Sequence, residues 1–322
     1  MKEQILNILL RLTILLFSLV LCYPFSTYTK DRKELDVKGV LIHITHYDPI
    51  WIPMKEFEKP FSLDVAIEVV DKMVEYGLNT LIVDIADGVI YESHPELKRH
   101  YSVPMEDLRR LAEYAHDKDI DFVPKLNFSK SGRNQHDMWM RPYWHNIGWT
   151  RNLDEYWKVA GDLINELVEV CEPDNFFHIG MDEDHYRSLN QYVEAVKILN
   201  EKISKYGLKP VMWNDTCYEN RDVIAEVYAD KMRAAEPLIP KDMVQLLWDY
   251  DLVHTGIVKR LSEAGFNVWV APGRNKDRVL EWKKITLDEG GSGLIITNWR
   301  KCDEEHKEQT LNLIEELAPL FN

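Results

Sequence analysis

The chain has 322 residues and carries 39 Lys and Arg against 54 Asp and Glu, a formal charge of −15 with the histidines neutral. So much excess negative charge repels phosphate backbones and argues against nucleic acid as a partner. An apolar content of 45%, with ten Trp and fifteen Tyr, excludes a disordered chain. The length suits one barrel-type domain of about 250 residues with extensions.

The chain opens on a distinct segment. Leu12–Cys22 is an almost wholly apolar run preceded by Lys2 and Arg11, short for a spanning helix and of the length of a secretory signal core. Residues 1–26 are therefore expected to be a signal peptide or a membrane or lipid anchor. The protein is then exported: periplasmic, extracellular, or attached to a membrane through this segment. Cys22 stands where a lipoprotein cysteine would, although Leu21 is larger than such sites favour. Residues 27–37 read as a charged linker and 38–322 as a single domain. Beyond the leader only Cys171, Cys217 and Cys302 occur, which is neither a disulfide framework nor a zinc pattern.

From Lys38 onward a short apolar run, a polar turn and a longer stretch of helical period alternate. The runs are Gly39–Thr45, Thr80–Ile85, Asp121–Leu126, Phe176–Gly180, Pro210–Trp213, Met243–Trp248, Asn267–Val270 and Gly293–Thr297. The first helical stretch has Ala66, Val69, Val70, Met73 and Val74 at i, i+3, i+4, i+7 and i+8. Gly77, Gly207, Gly265 and Gly290 stand where left-handed helix caps are wanted. Apolar strands separated by helices imply a parallel sheet buried on both faces. Eight such units, with no glycine-rich phosphate loop after the first strand, predict an α/β fold, a closed (β/α)8 TIM barrel, over an open doubly wound sheet.

In such a barrel the chemistry lies in the loops at the carboxyl ends of the strands. That position selects His43, His46 and Asp48 after the first run, Asp84 and Asp87 after the second, and Asn127 after the third. It adds His178, Asp182, Glu183, Asp184 and His185 after the fourth, and Trp213, Asn214 and Asp215 after the fifth. Trp248, Asp249 and Tyr250 follow the sixth run, and Asn298 and Trp299 the eighth. The long loop after the third run brings Trp139, Trp144 and Trp149. Carboxylates beside flat indole faces suit sugars, whose hydroxyls take hydrogen bonds while their C–H faces stack on aromatics. Adjacent acids are common in so acidic a chain, and Asp154-Glu155, Asp288-Glu289 and Asp303-Glu304 read as solvated turns or helix ends. Asp182-Glu183 differs because it follows a buried strand, where an unused carboxylate is costly.

The segment His178-Ile179-Gly180-Met181-Asp182-Glu183 resembles the fourth-strand signature of glycoside hydrolase family 20, the β-N-acetylhexosaminidases. The resemblance runs from Lys38 to Trp299 and is that of a divergent, barrel-only branch. It implies substrate-assisted retaining hydrolysis of a terminal β-linked N-acetylhexosamine, with no cofactor and no metal. Glu183 would be the general acid and then the base, and Asp182 would orient the substrate's own 2-acetamido group as the nucleophile. Trp213, Trp248 and Trp299 would wall the acetamide pocket, and Tyr250 would offer a hydroxyl to the acetamide oxygen. His46, Asp84, Asp87, Asn127, His178 and Asp215 complete the expected substrate-binding set. The chain departs from the family where His46 replaces an Arg, where Asp84-Ile85-Ala86-Asp87 replaces His-Leu-x-Asp, and where Lys125 follows Pro124 in place of an acid. Two other readings stay open: a non-catalytic glycan-binding barrel, and a divalent-metal enzyme using His43, His46, Asp84, Asp182, His185 and Asp215.

Overall fold

The computed structural model describes residues 34–45, 56–131, 136, 138–140, 153–219 and 223–322. The leader, His46, Asp48, Trp144 and Trp149 lie outside the described residues. In chain order the elements are β1 (Val37–His43), α1 (Leu63–Glu75), β2 (Thr80–Asp84), β3 (Val89–Ile90), β4 (Val103–Pro104), α2 (Met105–His116), β5 (Asp121–Lys125), α3 (Leu153–Cys171) and β6 (Phe176–His178). They continue with α4 (Leu189–Ser204), β7 (Lys209–Asn214), α5 (Val223–Ala235), β8 (Val244–Trp248), α6 (Ile257–Glu263), β9 (Asn267–Ala271), α7 (Lys276–Asp288), β10 (Gly293–Lys301) and α8 (Lys307–Leu317).

Eight of the strands close into a parallel barrel in the order β1-β10-β9-β8-β7-β6-β5-β2, and each of the eight apolar runs falls on one of them. The helices are amphipathic and capped as their sequences require. Ser62 Oγ accepts the Val65 N–H at the start of α1, and Ser188 with Gln191 forms a reciprocal capping box at the start of α4. Gly77, Gly207, Gly265 and Gly290 all take positive φ just past a helix, the conformation that only glycine adopts without strain.

Two departures from the sequence reading concern the mouth of the barrel. β10 continues past the apolar run to Lys301, because an irregularity in β1 between Leu41 and His43 lets His43 pair with Lys301. Asn298 and Trp299 are therefore in the strand rather than after it. The second departure is the parallel pair β3–β4, placed in the loop after β2; two-residue strands carry no period for a sequence to reveal. Also at the amino-terminal edge, β1 starts at Val37 and Leu35 is already buried.

The core has two shells, as a barrel demands. One lies between sheet and helices and includes Val40, Val69, Leu81, Leu163 and Leu199. The other fills the barrel itself with alternate residues of the strands, among them Leu41, Ile82, Val123, Val211, Leu246 and Trp269. Cys171, Cys217 and Cys302 are buried, and no disulfide joins them. Among the described residues no helix is long and apolar enough to cross a membrane.

Candidate active site

The inward alternation places a polar residue at the carboxyl end of several strands, and β6 shows how the rest of the site is built. After His178 the chain turns through Gly180, Met181 and Glu183, all at positive φ (71°, 76° and 49°). Gly180 is required: a Cβ there would lie 2.1 Å from Asn127 Oδ1. Met181 and Glu183 have no such freedom, and each left-handed non-glycine residue is strained by about 1–2 kcal/mol. Three bonds from separate elements hold the turn. Met181 N–H donates to Asn127 Oδ1 at 3.2 Å, Tyr192 Oη on α4 donates to the Met181 carbonyl at 3.2 Å, and Glu183 N–H donates to Asp215 Oδ2 at 2.8 Å. The turn thereby presents Asp182 and Glu183 at the mouth, the first buried and the second half-buried.

His136, from the loop after β5, stands between the two carboxylates. Its Nδ1 is 3.3 Å from Asp182 Oδ2 and its Nε2 is 3.6 Å from Glu183 Oε2. Nδ1 also lies 2.9 Å from Asn127 Nδ2, which donates to Asp182 Oδ1 at 2.7 Å. When neutral at Nδ1 the ring accepts from Asn127, and when protonated there it donates to Asp182. Burial acts to raise the Asp182 carboxyl, but the charge and hydrogen bond of His136, the Lys125 ammonium and the Asn127 amide outweigh it and hold Asp182 well below the usual carboxylate range. The same couple raises His136 above an ordinary histidine against the opposing effect of its burial.

Asp215 is the third carboxyl here. It is fully buried, and its Oδ1 accepts the Trp248 indole N–H at 2.8 Å. Burial and the Asp182 charge push it well above the usual range, in spite of its two hydrogen bonds.

Around the wall, strands β1, β2, β5 and β6 bring His43, Asp84, Lys125 and His178 into one register row. Lys125 is hydrogen-bonded to Asp84, both without exposed surface, and His43 Nδ1 is 3.4 Å from Asp84 Oδ2. His178 Nδ1 accepts the Gly180 N–H at 3.0 Å, so the ring proton is on Nε2, and burial keeps the ring neutral by lowering its pKa.

The opposite wall is aromatic. The Trp213 ring, on β7, is 5.2 Å from that of His178 and 6.1 Å from that of Trp299, and Trp299 is 5.2 Å from His43. Tyr250 joins Trp248 at 5.7 Å and Trp299 at 6.3 Å. Its hydroxyl accepts the Trp299 N–H at 3.0 Å and the Thr297 hydroxyl at 3.4 Å, leaving its own O–H to donate. Burial raises the phenol, so that proton is kept. Gly273, at φ 77°, lets the loop after β9 approach Tyr250; a side chain there would meet the Tyr250 backbone at 2.9 Å.

The structure thus brings Asp182, Glu183, Asn127, His178, Trp213, Asp215, Trp248, Tyr250 and Trp299 to one end of the barrel, with Asp84 enclosed in its wall. Asn127 turns its amide to Asp182, Ser129 and Met181. Asp87 faces Arg99, whose Nε is 3.2 Å away. Other strand-end polar residues brace loops. Asp184 receives Arg187, Lys231 and the Lys130 N–H, Asp249 caps the turn to His254, and Asn214 bonds Gln245 and Thr216. His136 and Arg99 escaped the sequence reading, since each sits inside a loop with no periodicity to place it. Among the described residues no group of three or more His, Cys, Asp or Glu is arranged to hold a metal ion.

No family model and no curated protein matches this sequence. Solved structures do match. The crystal structure of dispersin B superposes with a TM-score of 0.55 at 15% identity, over 88% of this chain and 98% of that one. A mutant Streptomyces plicatus β-hexosaminidase in complex with its product GlcNAc gives 0.62 at 13% identity, over 89% of this chain and 63% of that one. The GH20 β-N-acetylhexosaminidase of Streptomyces coelicolor A3(2) gives 0.61 at 13% identity, over 89% and 64%. This chain therefore spans nearly all of dispersin B and just under two thirds of the two Streptomyces enzymes. At such identities the likeness establishes architecture alone: the described residues form a (β/α)8 barrel like that of these enzymes.

Proposed function

We propose that the protein is an exported glycoside hydrolase that removes terminal β-linked N-acetylhexosamine by substrate-assisted catalysis with retention. The observation that carries this reading is the Asp182–His136–Glu183 cluster facing a wall of Trp213, Trp248, Tyr250 and Trp299 across the barrel mouth. Glu183 is the proton donor. As the glycosidic C1–O bond breaks, the departing oxygen takes the Glu183 proton and the acetamide carbonyl oxygen bonds to C1, giving an oxazolinium ion. Asp182, held ionised, accepts the acetamide N–H and stabilises the positive charge that develops there. The Tyr250 O–H donates to the acetamide oxygen and orients it for attack. Water then adds to C1 as Glu183 takes its proton, and the ring opens to the free sugar. The aromatic wall packs the acetamide methyl and excludes water. Export rests on the apolar run Leu12–Cys22.

A thiazoline mimic of the oxazolinium ion tests the mechanism. It should bind far more tightly than the parent N-acetyl sugar, because it resembles the high-energy species. Equal hydrolysis of plain glucosides and N-acetylglucosaminides, or indifference to the thiazoline, would overturn the reading.

A further inference from the structure

Lys125 is a whole positive charge placed inside a barrel with no surface exposed. A group so enclosed does not touch a substrate. Stability is a poor reason for its presence, since a buried ion pair is often matched by apolar residues of equal volume. What its position offers is closeness to the carboxylate cluster. β5 ends at Lys125, which pairs with His178 on β6, and two bonds follow it, Leu126 N–H on His178 O at 3.0 Å and Phe128 N–H on Ile179 O at 3.1 Å. Asn127, two residues beyond Lys125, bonds Asp182. Asp84, in register on β2, holds the ammonium from the other side.

We propose that Lys125 is a positioning residue whose ammonium, anchored by Asp84, limits how many protons the Asp182–His136–Glu183 cluster holds. Three carboxyls and a histidine meet in this site, and an extra positive charge beneath them opposes proton uptake at each. The titratable groups facing Asp182 include His136, Lys125, His178, Asp215, Tyr192 and Tyr250, with Glu183 beside it. Those facing His136 are Asp182, Glu183, Lys125 and His185. In the register row Lys125 stands between Asp84 on β2 and His178 on β6, the strand that leads to Asp182 and Glu183, so the positive end of the pair lies toward the cluster. Its charge acts downward on Asp182, His136 and His178.

This inference rests on the proposed glycosidase activity for one of its two readouts only. The first is the imidazole titration of His136, followed by NMR on protein labelled at histidine with 15N and assigned with His136→Gln. In Lys125→Met the midpoint should rise by about one pH unit. The rise should persist in Lys125→Met/Asp84→Asn, which removes both partners and leaves no buried charge unpaired, and it should vanish in Lys125→Arg. The second readout is the acid limb of kcat/KM on a nitrophenyl N-acetylglucosaminide, which should move upward with the midpoint, with kcat reduced and KM nearly unchanged. Folding of each variant is checked by cooperative thermal unfolding. If the midpoint stays in place in folded Lys125→Met and in the double variant, the pair is structural and the proposal is overturned. If the midpoint rises but no glycoside is cleaved even by the wild type, the role of Lys125 stands and the glycosidase reading fails.

Discussion

The two halves of the barrel mouth solve opposite problems. On β1, β2, β5 and β6 the wall is His43, Asp84, Lys125 and His178, a row of ionisable groups in a low-dielectric interior where each charge needs a partner. On β7, β8 and β10 it is Trp213, Trp248 and Trp299, with Tyr250 just beyond β8, and the carboxyl of Asp215 is bonded to the Trp248 indole. The polar half can set protonation states, because buried charges act on one another with little screening. The aromatic half sets shape and offers a few N–H and O–H donors, and it acts on a proton balance through the Trp248 N–H, which opposes the rise of Asp215. Asp215 joins them, taking the Glu183 backbone N–H on one oxygen and the Trp248 indole on the other. Substitutions on the polar side should therefore alter pH profiles, and those on the aromatic side, Trp248 excepted, should alter recognition with the profile unchanged.

The sharpest way to break that division is Glu183→Gln. Loss of a general acid costs about 10²–10⁴-fold, and the full loss should appear with a natural sugar leaving group. An activated phenol, which needs no proton, should lose far less. Equal losses in kcat/KM for both substrates would remove Glu183 from the acid role and the polar half from the chemistry.

Tyr250→Phe probes the other side with a smaller effect. It deletes the bond donated to substrate together with those accepted from Trp299 and Thr297, and leaves the ring contacts with Trp248 and Trp299 in place, so kcat/KM on N-acetyl sugars should fall by about tenfold, near 1.4 kcal/mol. The pH profile should stay where it is. A moved acid limb in this variant would show that Tyr250 also governs protonation.

The smallest effect concerns stability and comes from His136. Its pKa is raised on folding, so its contribution is fully present below the unfolded value of about 6.5 and is lost as pH rises through the higher folded value. His178 runs the other way, because its folded pKa is depressed and stability is lost as pH falls below the unfolded value. The difference between wild type and His136→Gln in urea unfolding isolates the first. It should shrink from pH 6 to pH 9, and a difference independent of pH would show that His136 holds no extra affinity for a proton.

Much of the architecture was open to reading along the chain. Each barrel strand is a short buried run whose residues are nearly all apolar, and each helix shows its own period, so β1 to β10 and α1 to α8 could be anticipated apart from the two-residue strands β3 and β4. The place of Asp182 and Glu183 was legible for a similar local reason: they follow β6 within five residues, and strand ends face the mouth. Local position did not separate residues that meet the site from those that brace it. Asp184 and Asp249 stand at strand ends like Asp182, yet their oxygens are taken by Arg187 and Lys231 in one case and by the turn to His254 in the other.

What the amino-acid sequence determined by itself was therefore everything that depends on neighbours in the chain: the alternation of strand and helix, the glycine caps and the side of the barrel on which the acids lie. Tertiary structure alone decided the pairings. Asp84 and Lys125 read along the chain as two unrelated departures, one replacing a histidine and the other an acid, and only the β2–β5 register shows that they are one ion pair. His136, about 46 residues before the carboxylates it bridges, is brought to them by a loop whose sequence carries no period. Period and capping act over a few residues and are written locally, whereas a buried charge finds its partner across strands, at a distance fixed by barrel closure.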